Sequence, residues 1–179
     1  MLSKTKLETV FRKNGFSDFR WIDPRSIVIA QWVRMKCRFG CGEYGKTACC
    51  PPNTPTVGEC ERFVREYKRA AVFHFEKSVA RPEDRHAWSR GVNLKLVKLE
   101  REVFLSGHVK AFLLAMDSCN ICSMCVGDPA LCKEPRKARP SAEAMAVDVY
   151  STVLRAGYPI EVLADFKQMM NRYAILLVD

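Results

Sequence analysis

The sequence VKAFLLAMDSCNICSMCVGDPALC, residues 109–132, joins an apolar segment directly to four cysteines. The apolar part, 109–116, is rich in Val, Phe and Leu and predicts a buried β-strand. The same arrangement occurs earlier in the chain, where SIVIAQWVRM, residues 26–35, predicts a strand that delivers Cys37 from its end. A strand followed by a cysteine-rich loop, present twice, is therefore the predicted framework of the fold.

The remaining segments alternate between helical and strand patterns. The longest predicted helix covers 82–105, with a break or weak point at Gly91. The predicted fold class is α/β, a single iron–sulfur or metal-binding domain over residues 1–179. Its mixed sheet has about four or five strands, with helices packed on it and two cysteine-rich cluster loops. The other predicted elements are helices at 4–14, 56–67 and 141–155 and strands at 70–75, 160–163 and 173–178.

Length and composition restrict the class of protein. The chain has 179 residues, of which 48% are hydrophobic and 27% charged, as in one ordinary globular domain, and this excludes a large multidomain protein. No apolar run approaches the roughly 20 residues that span a bilayer, and the first residues lack a secretory signal. We therefore expect a cytoplasmic protein with no membrane partner. Nine cysteines are too few for a disulfide scaffold and too many for packing alone, so they predict metal or cluster binding.

The later cysteine group has a spacing typical of iron–sulfur proteins. Cys119, Cys122 and Cys125 recur every three residues, and Cys132 follows after six more. Such spacing lets thiolates reach separate corners of a [4Fe–4S] cube while backbone N–H groups point at its sulfides, as in bacterial ferredoxins. The spacing before Cys132 is longer than in the ferredoxin run, so Cys132 can complete this cluster rather than cross to another. Zinc, the alternative metal, is more often gripped by two separated knuckles.

The earlier cysteine group predicts a second cluster loop. Cys37, Cys41 and Cys50 lie among glycines and prolines that exclude regular structure. The fourth ligand is open. Cys49 neighbours Cys50, and successive side chains point apart, whereas Cys60 lies on the core-facing stripe of a predicted helix. If neither binds, three cysteines hold the cube and one iron keeps a position for water, hydrosulfide or substrate, as in catalytic metal sites.

Three motifs extend over most of the chain. They are Cys37-x3-Cys41-x2-Tyr44-Gly45-Lys46-x3-Cys50-Pro51-Pro52, Cys119-x2-Cys122-x2-Cys125-x6-Cys132-x2-Pro135 and Arg139-Pro140-Ser141-x-Glu143-x4-Asp148-Val149. Together they resemble a family of cysteine-rich prokaryotic proteins described as predicted metal-binding proteins of unknown function. The family is common in anaerobic bacteria and methanogenic archaea, so the resemblance implies oxygen-sensitive clusters and anaerobic metabolism but assigns no reaction. In its usual pattern Cys49 and Cys60 are extras, which implies a first site with three cysteines or one completed by a non-cysteine ligand.

Basic residues accompany both cysteine groups in a chain with a formal net charge of +9. We interpret them as cations that offset the charge of cluster thiolates or steer an acidic redox partner protein. Nucleic acid is the less favoured partner because no recognition helix or base-stacking motif accompanies the charges. The residues are Arg34, Lys36, Arg38 and Lys46 near the first group, and Lys133, Arg136, Lys137 and Arg139 after the second.

Two carboxylates are further candidates. Glu143 is expected to cap the predicted helix at 141–155, and Asp148, if buried there, would need a partner such as Arg139. Either could transfer a proton at an open cluster. Structural roles are expected for Tyr44, which could also shield the first cluster, and for His74, His86 and His108.

These residues fit three functions, and whether the protein is an enzyme stays open. The leading hypothesis is an iron–sulfur protein with two [4Fe–4S] clusters that carries electrons for a partner enzyme in anaerobic metabolism. The second is an enzyme in which Cys37, Cys41 and Cys50 present an open iron for small-molecule chemistry, for instance sulfur chemistry. The third is a zinc-stabilised structural or interaction module.

Overall fold

A four-stranded sheet lies at the centre of the computed structural model, which describes residues 1–165 and 167–179. The α/β class is confirmed, but the mixed sheet is wrong, because each pair of neighbouring strands is antiparallel. β2 and β3 do run parallel, as strands joined by a helix usually do, but β4 lies between them. Within the described residues the strands, in the spatial order β1-β2-β4-β3, are β1 (Phe19–Ile22), β2 (Ala70–Lys77), β3 (Phe112–Leu114) and β4 (Met170–Leu177).

Helices cover both faces of the sheet. Phe73 of β2 packs in a core with residues of α1 and α4, whereas its neighbour Val72 packs in a second core with residues of α3 and α5. Burial on both faces explains why the central strands are nearly continuous apolar runs. The helices are α1 (Lys4–Lys13), α2 (Gln31–Gly40), α3 (Val57–Arg65), α4 (Asp84–Leu105) and α5 (Val149–Arg155).

The strand predicted over 26–35 is wrong, because its second half forms α2 and its first half contributes only an isolated bridge at Ile29. Its β-branched residues do pair, but with residues 146–148 outside the sheet: Asp148 N–H donates to Val28 O at 2.7 Å, and Ala30 N–H donates to Ala146 O at 2.9 Å. The residues that follow include Gln, Arg, Met and Lys, which favour helix. Cys37 therefore lies in the last turn of α2 rather than beyond a strand.

The helix predicted over 141–155 is interrupted. A short 3₁₀ turn, Glu143–Met145, ends at Ala146, which has a φ of 59°, and α5 begins only after Asp148. Asp148 caps α5 by accepting a hydrogen bond from Ser151 N–H at 3.0 Å. Two strand predictions also change, because 160–163 has no strand and β3 is shorter than 109–116. β1 was not predicted.

α4 is a continuous helix of 22 residues, so the predicted break at Gly91 is wrong. Gly91 is exposed, and a Cβ at this position would have nothing within 4 Å, so no packing constraint disturbs the helix there. The buried face of α4 combines Leu96 and Leu99 with the polar Asn93 and Glu100. No helix of the described residues is both long and apolar enough to cross a membrane.

Side chains of α4 form hydrogen bonds with backbone groups at the outer edge of β3 and just after it. Glu100 accepts a hydrogen bond from Leu113 N–H at 2.9 Å. Asn93 pairs with both backbone groups of Met116, donating to its carbonyl at 2.7 Å and accepting from its N–H at 3.1 Å. The chain then returns, and Ala115 N–H donates to Pro140 O at 2.8 Å. Both ends of the second cysteine loop are therefore fixed at the same edge of the sheet.

Replacing Glu100 with alanine tests this closure. The side chain also receives the Arg139 guanidinium at 2.8 Å and is almost fully buried, so the variant leaves a buried N–H and a half-buried cation without their acceptor. We expect the free energy of unfolding in urea to fall by about 3–5 kcal/mol. Glu61→Ala, which removes an exposed pair with Arg65, should cost less than about 1 kcal/mol. Equal losses in the two variants would contradict the structural role of Glu100.

Candidate metal centre

The three cysteines predicted for the first site lie close together. Burial raises the pKa of Cys37, and the neighbouring Cys41 adds to the rise, against the charge of Arg34. Burial also raises the pKa of Cys50; Thr47 opposes this through a hydrogen bond, while Cys41 and Cys37 add to the rise. Cys41 is exposed and Cys50 is buried, so the group extends from the protein interior to solvent.

Asn53 ties the loop of the first group to the loop of the second. Its Nδ2 donates to Thr47 O at 3.1 Å in its own loop and to Gly127 O at 2.7 Å in the other. Gly127 has a φ of 75°, and a Cβ there would lie 3.5 Å from Lys46 O, so the two backbones are in contact. The two cysteine loops, far apart in sequence, therefore form one unit.

Cys49 lies with the second group rather than the first. A hydrogen bond with Cys119 and burial raise the pKa of its thiol, and the nearby Cys132 adds to the rise. The preceding residue, Ala48, donates its N–H to Cys125 Sγ at 3.4 Å. Cys49 and Cys50 thus serve different groups, consistent with successive side chains pointing apart.

The surroundings of Cys119 lower the pKa of its thiol. The hydrogen bond from Cys49 lowers the pKa of Cys119 to about 6, outweighing burial, and backbone donors at Ile121 and Arg139 act in the same direction. The pKa of Cys49 is raised and that of Cys119 is lowered by the same contact between the two thiols. A thiolate is the form of cysteine that binds metals, so Cys119 is set up as a ligand.

The four cysteines predicted for the second site share one loop. Cys122, Cys125 and Cys132 are half-buried like Cys119. Across residues 1–165 and 167–179, however, no three His, Cys, Asp or Glu side chains are arranged to hold a single metal ion. The assignment of the seven cysteines as ligands therefore stays a prediction.

A cavity of about 390 Å³ adjoins Cys49, but a larger one opens beside the first cysteine group. The larger cavity has a volume of about 910 Å³, at the upper end of the range typical of small-molecule sites. Its described lining includes all three thiols of the first group and none of the second. Its polar side chains include Tyr44, Arg85, His86, Asp117, Glu143 and Arg172.

Glu143 lines this cavity next to the first group. Its backbone carbonyl lies 4.0 Å from Cys37 Sγ. Burial raises the pKa of the Glu143 carboxyl, and Asp117 adds to the rise, whereas hydrogen bonds from its own N–H and from Ser141 and the charge of Arg172 oppose it. The side chain is nevertheless exposed, because it projects into an open cavity within the protein. Sequence reasoning expected a helix cap here, and the structure places Glu143 in the cavity wall.

Several other candidates have structural partners. Asp148 is buried as expected, but its partner is Ser151 of its own helix and not Arg139, which pairs with Glu100. Arg34 donates to Thr54, Pro55 and Ala144 and so braces α2. Cys60 is fully buried on the core-facing side of α3, as its position on the predicted apolar stripe indicated.

The three histidines have different surroundings. His74 Nδ1 lies 2.6 Å from Asp18 Oδ2 and its Nε2 lies 2.7 Å from Asn171 Oδ1, while His108 is buried near Leu2 O. His86 instead lines the large cavity. The structural role expected for all three therefore fits His74 and His108, whereas His86 lies at the candidate site.

Almost the whole chain matches one known protein family. Residues 20–178 match the family described as predicted metal-binding protein (DUF2284). The chain belongs to this family. The predicted resemblance is thus confirmed, and metal binding is the property that membership supports. No curated protein and no solved structure matches the chain.

Sequence reasoning missed two features of the site in this family member. It considered Cys49 only for the first group, because its neighbours in sequence are there. It also overlooked Arg85, Asp117 and Arg172, which come from three separate elements. The position of Asp117, between a buried strand and the first cysteine of the loop, was the available signal.

The Cys49–Cys119 pair makes a prediction for the metal-free protein. Without the Cys49 donor, the pKa of Cys119 should rise toward the usual cysteine value near 8.5. In Cys49→Ala, alkylation of Cys119 by iodoacetamide at pH 7 should therefore slow by about tenfold or more. The pH profile of alkylation, followed by mass spectrometry, should have its midpoint shifted upward. Cys60→Ala is the matched control, and an unchanged profile for Cys49→Ala would refute the pairing.

Proposed function

We propose that this chain is an iron–sulfur protein with two [4Fe–4S] sites, in which the second site exchanges electrons with a partner protein. The observation that carries this proposal is the set of donors around the second loop. Cys125 accepts a hydrogen bond from Ala48 N–H at 3.4 Å, and Cys49 together with the backbone at Ile121 and Arg139 lowers the pKa of the Cys119 thiol. Cluster thiolates characteristically receive such bonds, which tune the reduction potential. When bound, a cluster here would supply one-electron transfer.

The arrangement of thiols favours a cluster over zinc. A tetrahedral zinc with Zn–S bonds of about 2.3 Å needs its sulfurs about 3.8 Å apart. A cube receives one thiolate at each iron corner, so its ligands are spread more widely. The three-residue repeat of Cys119, Cys122 and Cys125 in one loop suits that requirement better than the two separated knuckles that usually hold zinc.

Four thiols of the second loop and Cys49 are candidates for the second site, although a cube takes four ligands. We assign Cys119, Cys122, Cys125 and Cys132 as the ligands, in keeping with their shared loop. Cys49 then acts as a hydrogen-bond donor to Cys119 and stabilises its thiolate. In this role Cys49 would raise the reduction potential, because it disperses negative charge from the ligand sulfur.

The proposed partner is an acidic redox protein. Lys133, Arg136 and Lys137 are exposed directly after the second cysteine loop, and Met124 and Leu131 are exposed within it. Such a mixture of cations and apolar side chains suits a transient electron-transfer contact, with charge steering the encounter. The proposed working compartment is a reducing cytoplasm, in cells with anaerobic metabolism, because thiols that bind metal must stay reduced.

A second candidate function is favoured by the large cavity. Cys49 is committed to the second group, and Cys60 is packed in the core. The first site is left with Cys37, Cys41 and Cys50, and these thiols line a cavity large enough for a small molecule. Enzymatic chemistry on a small molecule at the first site is therefore the alternative to a purely electron-carrying protein.

Metal analysis after anaerobic purification tests the proposal. We expect about eight iron and eight sulfide ions per chain, with visible absorption near about 400 nm. Cys122→Ala and Cys50→Ala should each lower the iron content to about four, because each removes a ligand of one cluster. Cys60→Ala should keep the full content, since this thiol lies in the core. A colourless protein with stoichiometric zinc would instead support the zinc-stabilised module.

A further inference from the structure

Two arginines share one carboxylate in the wall of the large cavity. Arg85 Nε lies 3.8 Å from Asp117 Oδ2, and Arg172 Nε lies 3.9 Å from Asp117 Oδ1. These distances bring the charges together but are too long for hydrogen bonds. In the described part of the chain, Asp117 Oδ2 and both Nε atoms are buried without a hydrogen-bond partner. The described residues therefore leave part of the hydrogen-bonding capacity of these three side chains unused.

The charges in this cluster do not cancel. Within these three residues, Asp117 offsets one of the two guanidinium groups and leaves one positive charge, while Lys36, Glu43, Glu143 and Glu161 line other parts of the cavity. Guanidinium groups bind carboxylate and phosphate oxygens through paired hydrogen bonds, which are stronger than bonds between neutral groups. An oxyanion entering the cavity would thus find two donors held close together by a competing carboxylate.

Asp117 has an uncommon backbone conformation. Its φ of 58° is left-handed, a region that few non-glycine residues occupy and that aspartate and asparagine enter more readily than most. Strained residues of this kind cluster at binding sites. Arg85 lies in the first turn of α4, where the helix dipole also favours an anion.

Glu143 links the arginine cluster to the first cysteine group. Its carboxyl group lies within the electrostatic influence of both Asp117 and Arg172, and its backbone carbonyl lies 4.0 Å from Cys37 Sγ. A molecule held at Arg172 would therefore extend past Glu143 toward the thiols. The cavity volume of about 910 Å³ accommodates a molecule of that reach.

We propose that the cavity is a substrate site for a small molecule that carries an oxyanion group, a carboxylate or a phosphate. Arg85 and Arg172 bind this group, Asp117 competes with it for the two guanidinium groups, and the remainder of the molecule is presented to Cys37, Cys41 and Cys50. Presentation to a metal rests on the proposed function, whereas binding of the anion requires the arginines alone.

Calorimetric titration of the full chain, purified anaerobically, tests this site with two probes, inorganic phosphate and malonate. Saturable binding of phosphate alone assigns a phosphate group, binding of malonate alone assigns a carboxylate, and binding of both supports a general oxyanion site. Absence of saturable binding by either probe overturns the proposal. Iron content and the visible spectrum are measured on the same samples, so failure of the cluster proposal is recognised separately.

The variants are expected to change probe binding in opposite directions, which general damage to the fold would not do. Arg85→Gln and Arg172→Gln should each weaken probe binding by about tenfold or more. Asp117→Asn should tighten it by about threefold or more, because the competing charge is lost while asparagine tolerates the positive φ. Arg65→Gln, on the exposed surface of α3, is the control and should have no effect. Unchanged or weaker binding in Asp117→Asn, or equal binding in all the arginine variants, would reject the assigned roles.

Discussion

The cysteine loops depend on how the backbone groups at the outer edge of the short strand β3 find hydrogen-bond partners. β3 has β4 on one side, and its other side would present unpaired N–H and carbonyl groups if α4 did not supply Glu100 and Asn93. Glu100 also binds Arg139, at the far end of the second loop. A single buried carboxylate thus fixes the start and the end of a loop whose own backbone is almost entirely irregular. Burying such a group is costly unless it is fully paired, which is why α4 carries polar residues on its core-facing side.

Once the second loop is fixed, it determines how the first is arranged. Asn53 bridges the two loops, and Ala48 donates its N–H to Cys125. These contacts hold residues 48–50 so that Cys49 reaches one group and Cys50 the other. The division of thiols between the sites therefore follows from contacts between loops and not from their order in the sequence.

The parts of the fold predicted correctly are those where local pattern and tertiary burial agree. α1, α3, β2 and β4 were all recognised near their observed positions because their apolar residues face one or both cores. The strand predicted at 26–35 failed because Val28 and Ala30 pair with a segment that no periodicity identifies. The antiparallel sheet was missed because local sequence pattern does not give the order of the strands, and β4 inserts between β2 and β3. Both cysteine groupings were predictable from spacing, whereas the position of Cys49 and the Arg85–Asp117–Arg172 cluster depends on contacts between distant elements.

The two cysteine groups differ in a way that suits different chemistry. The second has a surplus thiol and an N–H donor directed at Cys125, an environment that stabilises negative charge on the sulfurs. The first has three thiols, an exposed Cys41 and a cavity whose wall places two arginines around one aspartate. Cys49 and Cys50 are adjacent, and successive Cα atoms are about 3.8 Å apart, so one peptide unit joins the groups. Under the proposed function, an electron accepted from a partner at the second site would have a short path to the site that faces the cavity, through the contact of Cys119 with Cys49 and the peptide unit that joins Cys49 to Cys50. The adjacent cysteines then explain how electron transfer and small-molecule chemistry can be parts of one activity.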